Sequence, residues 1–272
     1  MNKKSFGSQL LAAPHIVWSV LFTVVPLFIM LYFAFTNADG VFTLENIKQI
    51  GLYKKAFGIS ILYAVIATLI TLLIAYPMAY FMTKVNISSQ RMLMMIVMIP
   101  MWMNFLIRTY SWITILANTG IINTFLKSIG LGPVKLINTP GAVILGMVYD
   151  FLPYMILPIY SVMSKIDKSL LEASEDLGSN AFNKFRRVIL PLSRPGIISG
   201  ITMVFVPSVS TFYISQKLGG GTFELIGDTI ERQFQNSTTY NVGAAISLVM
   251  MALVLISLAI MNKFAGEEND EG

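Results

Sequence analysis

Several stretches of this sequence are apolar and uncharged over lengths that soluble proteins seldom contain. Residues 56–83 carry no charged side chain, and residues 5–37 contain no Asp, Glu, Lys or Arg. A helix of about 20 apolar residues crosses the ~30 Å hydrocarbon core of a bilayer. Over the whole chain 55% of the residues are hydrophobic and 12% are charged, whereas soluble domains average about 25% charged residues. The pattern predicts an all-α, polytopic membrane protein.

The apolar stretches predict six transmembrane helices in one transmembrane domain over residues 1–272. The first stretch is too long for the core of a signal peptide and lacks a cleavage site, so we interpret it as a retained span. A basic tail over residues 1–9 precedes it, and an acidic tail over residues 266–272 ends the chain. A short helix is expected around residues 123–129. The predicted spans lie at about residues 14–36, 57–83, 92–117, 141–164, 195–216 and 242–262, with a polar interval at 165–194.

The residue content excludes most kinds of catalytic and metal site. The chain has no cysteine, so neither a disulfide framework nor a thiolate metal centre can form. Its one histidine, His15, starts the first span and completes neither a histidine metal cluster nor a Ser-His-Asp triad. No G-x-x-x-x-G-K-[ST] phosphate loop occurs, so any ATP hydrolysis must come from another chain. The sequence therefore predicts no catalytic residue, no metal site and a non-catalytic subunit.

The polar interval after the fourth span has the pattern of two short helices with a break between them. Ser169 is predicted to cap the first helix, and Glu172 three residues later completes a capping box. Gly178 suits the left-handed conformation that ends a helix. Ser179 is predicted to cap the second helix, and Pro191 and Pro195 to close the segment.

The same interval contains a spaced motif: a Glu followed by two small residues, a Gly six residues after the Glu, then a Phe and an Ile-Leu-Pro ending. Its residues are Glu172, Ala173, Ser174, Gly178, Phe185, Ile189, Leu190 and Pro191. The motif resembles the EAA loop of type I ABC-importer permeases, although the third position is Ser rather than Ala. The resemblance implies the type I permease fold and a cytoplasmic coupling helix that docks on a separate ATPase. The alternative is an ordinary amphipathic loop on the membrane surface.

Three other stretches narrow the resemblance. They read NTGIIN at 118–123, YDFLPYMILP at 149–158 and LGGG at 218–221. They resemble the PotB-type permeases of spermidine/putrescine importers. The resemblance implies a PotC-like second permease, two PotA-like ATPase subunits and an external PotD-like polyamine-binding protein, all at the cell membrane and without nucleic acid. It also implies that this chain holds no cofactor, because ATP and Mg would bind the partner ATPase.

The basic residues predict the orientation of the chain. If the N-terminus is cytoplasmic, 11 Lys and Arg residues lie at cytoplasmic ends and 7 at outer ends. The excess agrees with the rule that basic residues collect on the cytoplasmic side of short loops. Both termini and the EAA-like motif are then expected inside. The cytoplasmic set is Lys3, Lys4, Lys84, Arg91, Lys165, Lys168, Lys184, Arg186, Arg187, Arg194 and Lys263, and the outer set is Lys48, Lys54, Lys55, Lys127, Lys135, Lys217 and Arg232.

Two charged residues fall inside predicted spans, where ionisable groups usually face a cavity or a partner. Asp150 lies in the fourth span beside Tyr149, and Tyr154 is one helical turn away. A carboxylate next to aromatic rings suits an organic cation, so these three residues are substrate-path candidates. The alternatives for Asp150 are a structural pair with Arg108 or a neighbouring subunit, or a hydrogen bond between helices. Arg108 itself is expected to reach the membrane interface near the end of the third span.

Three functions are compatible with these patterns. The first is a permease for polyamines, which Asp150 and its aromatic neighbours favour. The second is a type I importer permease for another solute, such as iron, an anion or a sugar, which the basic outer loops favour. The third is an autonomous channel or secondary carrier, for which inverted repeats or several paired intramembrane charges would be typical. The sequence leaves open which solute is carried and whether the permease pair consists of two copies or two different chains.

Overall fold

The structure is a computed structural model that describes residues 14–221 and 223–266, with side chains as far as Lys263. The predicted basic tail and nearly all of the predicted acidic tail lie outside the described residues. Within them the chain is helical, and the one pairing of extended backbone is an isolated bridge between Thr36 and Phe42. The predicted all-α fold class is confirmed.

The helices are numbered here in chain order. Two of them contain a π-helical turn, at Val20–Val24 and at Phe185–Ile189. A 3-10 turn, Ile50–Tyr53, precedes the helix that begins at Lys54. The helices are α1 (Pro14–Ala34), α2 (Glu45–Gln49), α3 (Lys54–Lys84), α4 (Ile87–Trp102), α5 (Phe105–Leu116), α6 (Ile121–Ser128), α7 (Pro140–Met163), α8 (Lys168–Asp176), α9 (Ala181–Ser210), α10 (Tyr213–Gly219), α11 (Ile226–Gln235) and α12 (Tyr240–Gly266).

Five helices in the described part are long and apolar enough to cross a membrane, and a sixth crossing requires a bent pair. That pair covers the third predicted span, residues 92–117, where the structure differs from one continuous rod. The chain turns by 92° between α4 and the helical stretch Phe105–Ser128. Met103 leaves the helix in an extended conformation, and the Asn104 side chain accepts the N–H of Leu106 at 2.8 Å. An Asn that caps a new helix competes with continuation of the old one, which explains the break.

The fifth predicted span, residues 195–216, also differs. α9 begins at Ala181 and runs without interruption to Ser210, so neither Pro191 nor Pro195 closes the segment as predicted. A proline ring normally clashes with the carbonyl four residues earlier. The π turn Phe185–Ile189 widens the backbone just before Pro191, with the Leu190 N–H bonded to the Phe185 carbonyl. The helix then breaks after Ser210, and α10 supplies the rest of the predicted span.

One further helix, α11, lies in residues 217–241, between the fifth and sixth predicted spans. The first turn of α11 is fixed by polar side chains that accept its free N–H groups. The Asp228 carboxylate accepts the N–H of Leu225 at 2.8 Å, and the Ser60 hydroxyl accepts that of Ile226 at 2.7 Å. Because one acceptor lies far away in sequence, local patterns did not indicate this helix.

The chain divides into two compact units, of which the first comprises the described residues of 1–54 with 229–254. In this unit two asparagine side chains, one buried and one half-buried, tie α2 and α12 to the backbone that follows α1. Asn241 Nδ2 donates to the Thr36 carbonyl at 2.6 Å, and Asn46 Nδ2 donates to the same carbonyl at 2.8 Å. Along α1 the only buried side chain is that of Ala34. An apolar helix with so little cover within its own unit has a surface suited to contact with lipid or with other protein.

The second unit comprises the described residues of 55–228 with 255–272, and α7 lies at its centre. α9 approaches α7 closely at two glycines. A Cβ on Gly196 would lie 2.8 Å from the Pro158 carbonyl oxygen, and one on Gly200 would lie 2.6 Å from the Met155 sulfur. Small residues allow such contact between membrane helices, where dispersion must supply much of the association energy. α3 contributes alanines to the same core, including Ala75 and Ala79.

The glycine contacts lead to a paired prediction. Gly196→Ala should destabilise the protein by about 1 to 3 kcal/mol, because the added methyl group meets backbone that cannot move without separating two helices. Gly58→Ala is the matched control, since Gly58 is also helical but has open space around it. At that position alanine should be neutral or stabilising by up to about 1 kcal/mol. Thermal unfolding of the two detergent-solubilised variants measures the difference, and equal melting temperatures would contradict the close approach.

Candidate functional site

The candidate coupling segment is the polar interval at residues 165–194, and its first helix is α8. Its N-cap is Asp167, whose carboxylate accepts the N–H of Ser169 at 2.9 Å, so the prediction that Ser169 caps this helix is wrong. An aspartate at an extended position two residues earlier meets the same need and places Ser169 inside the helix. The hydrogen bonds from Ser169 lower the pKa of the Asp167 carboxyl. The cap is therefore charged at neutral pH and would weaken only as the pH falls through that lowered pKa.

The break between the two parts of the segment is a tight helix ending. Gly178 has φ of +76°, which confirms the predicted left-handed residue. The N–H of Ser179 donates to the Ser174 carbonyl at 3.0 Å, and that of Gly178 to the Glu175 carbonyl at 2.8 Å. The next helix is capped by Asn180 rather than by Ser179 as predicted, because the Asn180 side chain accepts the N–H of Asn183 at 2.8 Å. Local hydrogen bonds and the left-handed glycine therefore fix the break between α8 and α9.

An ion pair joins the two sides of the break. Lys184, in the first turn of α9, donates to the carboxylate of Glu175 near the end of α8. The bond and the charge of Lys184 lower the pKa of the Glu175 carboxyl. The pair is thus present at neutral pH and lost only in acid, as the pH falls through the lowered pKa. Because the carboxylate is exposed, the pair orients the segment more than it stabilises the fold.

The predicted coupling residues divide into an anchored group and an exposed group. Ser174 and Ile189 are buried, and the Phe185 ring lies edge-on to Tyr76 and Tyr80 of α3, with centroid distances of 5.7 Å and 6.4 Å. Leu190 and Pro191 are half-buried. The exposed group is Glu172, Ala173 and Gly178.

Two large apolar side chains that sequence reasoning did not single out extend this exposed surface. Leu177 is 86% exposed and Phe182 is 67% exposed, on either side of the break. Their apolar character at helical spacing is visible in the sequence, but it favoured a position against the core. The coupling surface, defined as Glu172, Ala173, Leu177, Gly178 and Phe182, combines a carboxylate with apolar side chains and is therefore suited to protein contact.

A polar cleft of about 740 Å³ lies beside α8. It is bounded by the end of α3, the start of α4 and the coupling segment. Charges of both signs line it, so it does not select cations or anions by charge alone. Its polar lining residues include Lys84, Asn86, Gln90, Lys168, Glu172 and Glu175.

The second candidate site is Asp150. Its Oδ1 lies 3.0 Å from Nη1 of Arg108, and the two side chains are 4% and 9% exposed. The geometry thus realises one of the predicted alternatives, a pair between Asp150 and Arg108. The expectation that Arg108 reaches the membrane interface is wrong, because its guanidinium turns towards α7 and leaves little surface exposed.

The aromatic candidates near Asp150 lie in different surroundings. The Tyr149 ring of α7 packs edge-on against the Trp112 ring of α5, with a centroid distance of 5.3 Å, so it joins the two helices that carry the ion pair. Tyr154 is 41% exposed, although helical spacing predicted that it would share a face with the buried Asp150. A ring missed by sequence reasoning, Phe105, has its centroid 5.7 Å from the Arg108 guanidinium carbon. Whether Asp150, Tyr149 and Tyr154 contact a substrate stays a prediction.

Comparison with known proteins shows the family. Residues 73–265 match the model of the binding-protein-dependent transport system inner membrane component. The chain is 39% identical over 259 residues to the spermidine/putrescine transport system permease protein PotB of Haemophilus influenzae, covering 90% of this chain and 91% of the relative. It is 38% identical over 252 residues to PotB of Escherichia coli K12, covering 88% and 92%.

A solved structure confirms the predicted permease fold. The chain is similar to one from a bacterial ABC transporter involved in the import of the acidic polysaccharide alginate, with a TM-score of 0.77 and 17% identity. The match covers 97% of this chain and 96% of the other. At this identity the likeness concerns the fold alone. Together with the family match, it confirms the resemblance to importer permeases that the EAA-like motif indicated. The chain belongs to the family of binding-protein-dependent transport system inner membrane components.

Proposed function

We propose that this chain is a permease subunit of an ATP-driven importer for spermidine and putrescine, and that it forms half of the translocation pathway. The observation that carries the proposal is its 39% identity to a spermidine/putrescine permease over nine-tenths of both chains. Asp150 agrees with a cationic solute, because a buried carboxylate within a membrane helix is a suitable partner for an ammonium group. The chain itself binds no nucleotide in this proposal.

The coupling surface contacts the partner ATPase. A displacement there passes directly into the membrane, because α9 is one helix from Ala181 to Ser210. The Glu175–Lys184 pair and the Ser179–Ser174 hydrogen bond make α8 move with the start of α9. Phe185, held between Tyr76 and Tyr80, passes the same displacement to α3. The segment therefore acts as a short rigid lever rather than a loose tether.

The remaining subunits supply what this chain lacks. A PotC-like permease completes the pathway, two PotA-like ATPase subunits bind ATP and Mg, and an external PotD-like protein delivers the polyamine. The largely uncovered α1 offers apolar surface to lipid or to the second permease. Both termini and the coupling surface face the cytoplasm, in agreement with the excess of basic residues on that side.

A different solute is the second candidate, and two observations favour it. Seven basic residues lie in the predicted outer loops. Arg108 also compensates the charge of Asp150, so the pair as it stands presents no net negative charge to a cation. An anion importer would be compatible with both observations.

Transport by the assembled complex tests the function. The chain is coexpressed with a PotC-like permease, a PotA-like ATPase and a PotD-like binding protein, and the complex is reconstituted in liposomes. We expect ATP-dependent uptake of radiolabelled spermidine or putrescine, stimulated by the binding protein. Sulfate, iron and maltose are tested in separate assays as alternative substrates. Uptake of one of these without polyamine uptake would reject the proposed substrate.

The absence of cysteine allows a direct test of orientation. Leu177→Cys and Leu131→Cys each introduce one exposed thiol, since the two leucines are 86% and 66% exposed. A membrane-impermeant maleimide should label only the variant at Leu131 in right-side-out vesicles, because Leu131 lies in a predicted outer loop. In inside-out vesicles the order should reverse. Labelling at Leu177 from the outside would contradict a cytoplasmic coupling surface.

Gly178 provides a test of coupling. Gly178→Val places a β-branched residue at φ of +76° and should reduce ATP-dependent uptake by more than tenfold, because the helix break must rearrange. Gly178→Asn is the matched control, since asparagine tolerates this conformation and open space surrounds the position. Uptake and membrane insertion are measured together. Equal uptake by the two variants would show that the left-handed turn is not required.

A further inference from the structure

The Arg108–Asp150 pair has an incomplete hydrogen-bond geometry. The two charged atoms lie 3.0 Å apart, yet Nε and Nη1 of Arg108 and Oδ1 of Asp150 make no hydrogen bond to any residue that the structure describes. All three atoms are buried. A buried ion pair offsets its desolvation only when good geometry also satisfies the remaining donors and acceptors. This pair neutralises charge without meeting that condition, so a better donor could replace the arginine.

The anion and the cation are carried by elements of very different burial. Asp150 belongs to α7, and more than half of the apolar stretch of that helix is buried. Arg108 lies on α5, a helix of 12 residues of which Thr109 and Leu116 are the buried members. α5 is also separated from α4 by the break at Met103 and Asn104. The carboxylate is therefore fixed by the core, whereas the guanidinium is on a short helix that follows an extended break in the chain.

A second interaction partner for the guanidinium, an aromatic ring, lies on the same helix. Phe105 lies one turn before Arg108, and its ring centroid is 5.7 Å from the guanidinium carbon. The Phe105 ring is in turn supported by Tyr213 of α10, at a centroid distance of 5.5 Å. An aromatic face stabilises a guanidinium that has left its carboxylate, and more so where water is scarce. Release of Asp150 by Arg108 does not leave the cation without a partner.

We propose that Arg108 is an internal stand-in for the transported cation, which neutralises Asp150 between transport cycles and yields it to an ammonium group of the polyamine. The inference rests on the proposed function and adds a residue that controls access to the carboxylate. A primary ammonium is a compact group with three donors and can be oriented towards Oδ1, where the arginine makes no hydrogen bond. Exchange of one cation for another keeps the carboxylate paired, and Arg108, which remains nearby beside Phe105, competes with the ammonium so that the substrate can leave.

The competing explanation is that the pair only holds α5 against α7. The two explanations differ for the double variant Arg108→Gln with Asp150→Asn, which contains no buried charge. If the pair is structural, the double variant restores both folding and transport that either single variant loses. If Arg108 is a stand-in, the double variant restores folding alone, because the carboxylate that the polyamine needs is absent.

The experiment compares four complexes in proteoliposomes: the unaltered protein, Asp150→Asn, Arg108→Gln and the double variant. Assembly yield and thermal stability report structure, while the KM and maximal rate of putrescine uptake report transport. Asp150→Asn and the double variant should lose at least tenfold in uptake rate, the double variant with normal stability. Arg108→Gln, where it assembles, should lower the KM for putrescine in the uptake step and slow the maximal rate, because no internal cation competes for Asp150.

The double variant decides the matter even if Arg108→Gln fails to assemble. Uptake by the double variant at the rate of the unaltered protein would overturn the inference and leave the proposed function intact. A stable double variant that lacks putrescine uptake supports the inference. An unaltered complex that imports another solute but no polyamine would reject the proposed function, and the inference with it.

Discussion

The packing of α9 against α7 depends on two glycines, and the rest of the membrane-spanning core follows from that contact. In a bilayer, apolar surfaces gain little by leaving lipid, so helices associate through close dispersion contact and local hydrogen bonds. Gly196 and Gly200 bring the two backbones together where any side chain would meet the Pro158 carbonyl or the Met155 sulfur. Once α7 is held in this way, its other faces support α3 and α10, and its one carboxylate acquires a fixed position.

Because α9 is one continuous helix, its contact with α7 can transmit force from the coupling segment into the membrane. Had Pro191 ended the preceding helix, the coupling segment would be joined to the membrane by a flexible link. The π turn at Phe185–Ile189 instead accommodates the proline and keeps one helix from Ala181 to Ser210. A push on the exposed side of the break is therefore applied to a helix that packs directly on α7. Local widening of a helix is a small cost for retaining a rigid connection.

Features with a local cause could be predicted from the sequence, and features with a distant cause could not. Uncharged stretches indicated the spans, and Gly178 indicated the break, because hydrophobic length and glycine conformation are local properties. The caps at Asp167 and Asn180 were misplaced by one or two residues, since several neighbouring side chains could serve. The start of α11 depends on Ser60, more than 160 residues away, and no local pattern reveals that acceptor.

The site around Asp150 was predictable as a location but not as an arrangement. Helical spacing along the fourth span placed Tyr154 on the same face as Asp150. Arg108 was placed at the interface because the third span was treated as straight. The turn at Met103 and Asn104 redirects α5 and brings Arg108 to α7. Elsewhere in the described chain, buried polar side chains such as Asn46 and Ser215 are hydrogen-bonded. The buried side-chain atoms left without such partners belong, within that part, to Arg108 and Asp150. Proteins satisfy buried polar groups almost everywhere, so a pair that keeps its charges together without satisfying them points to a change of partner during function.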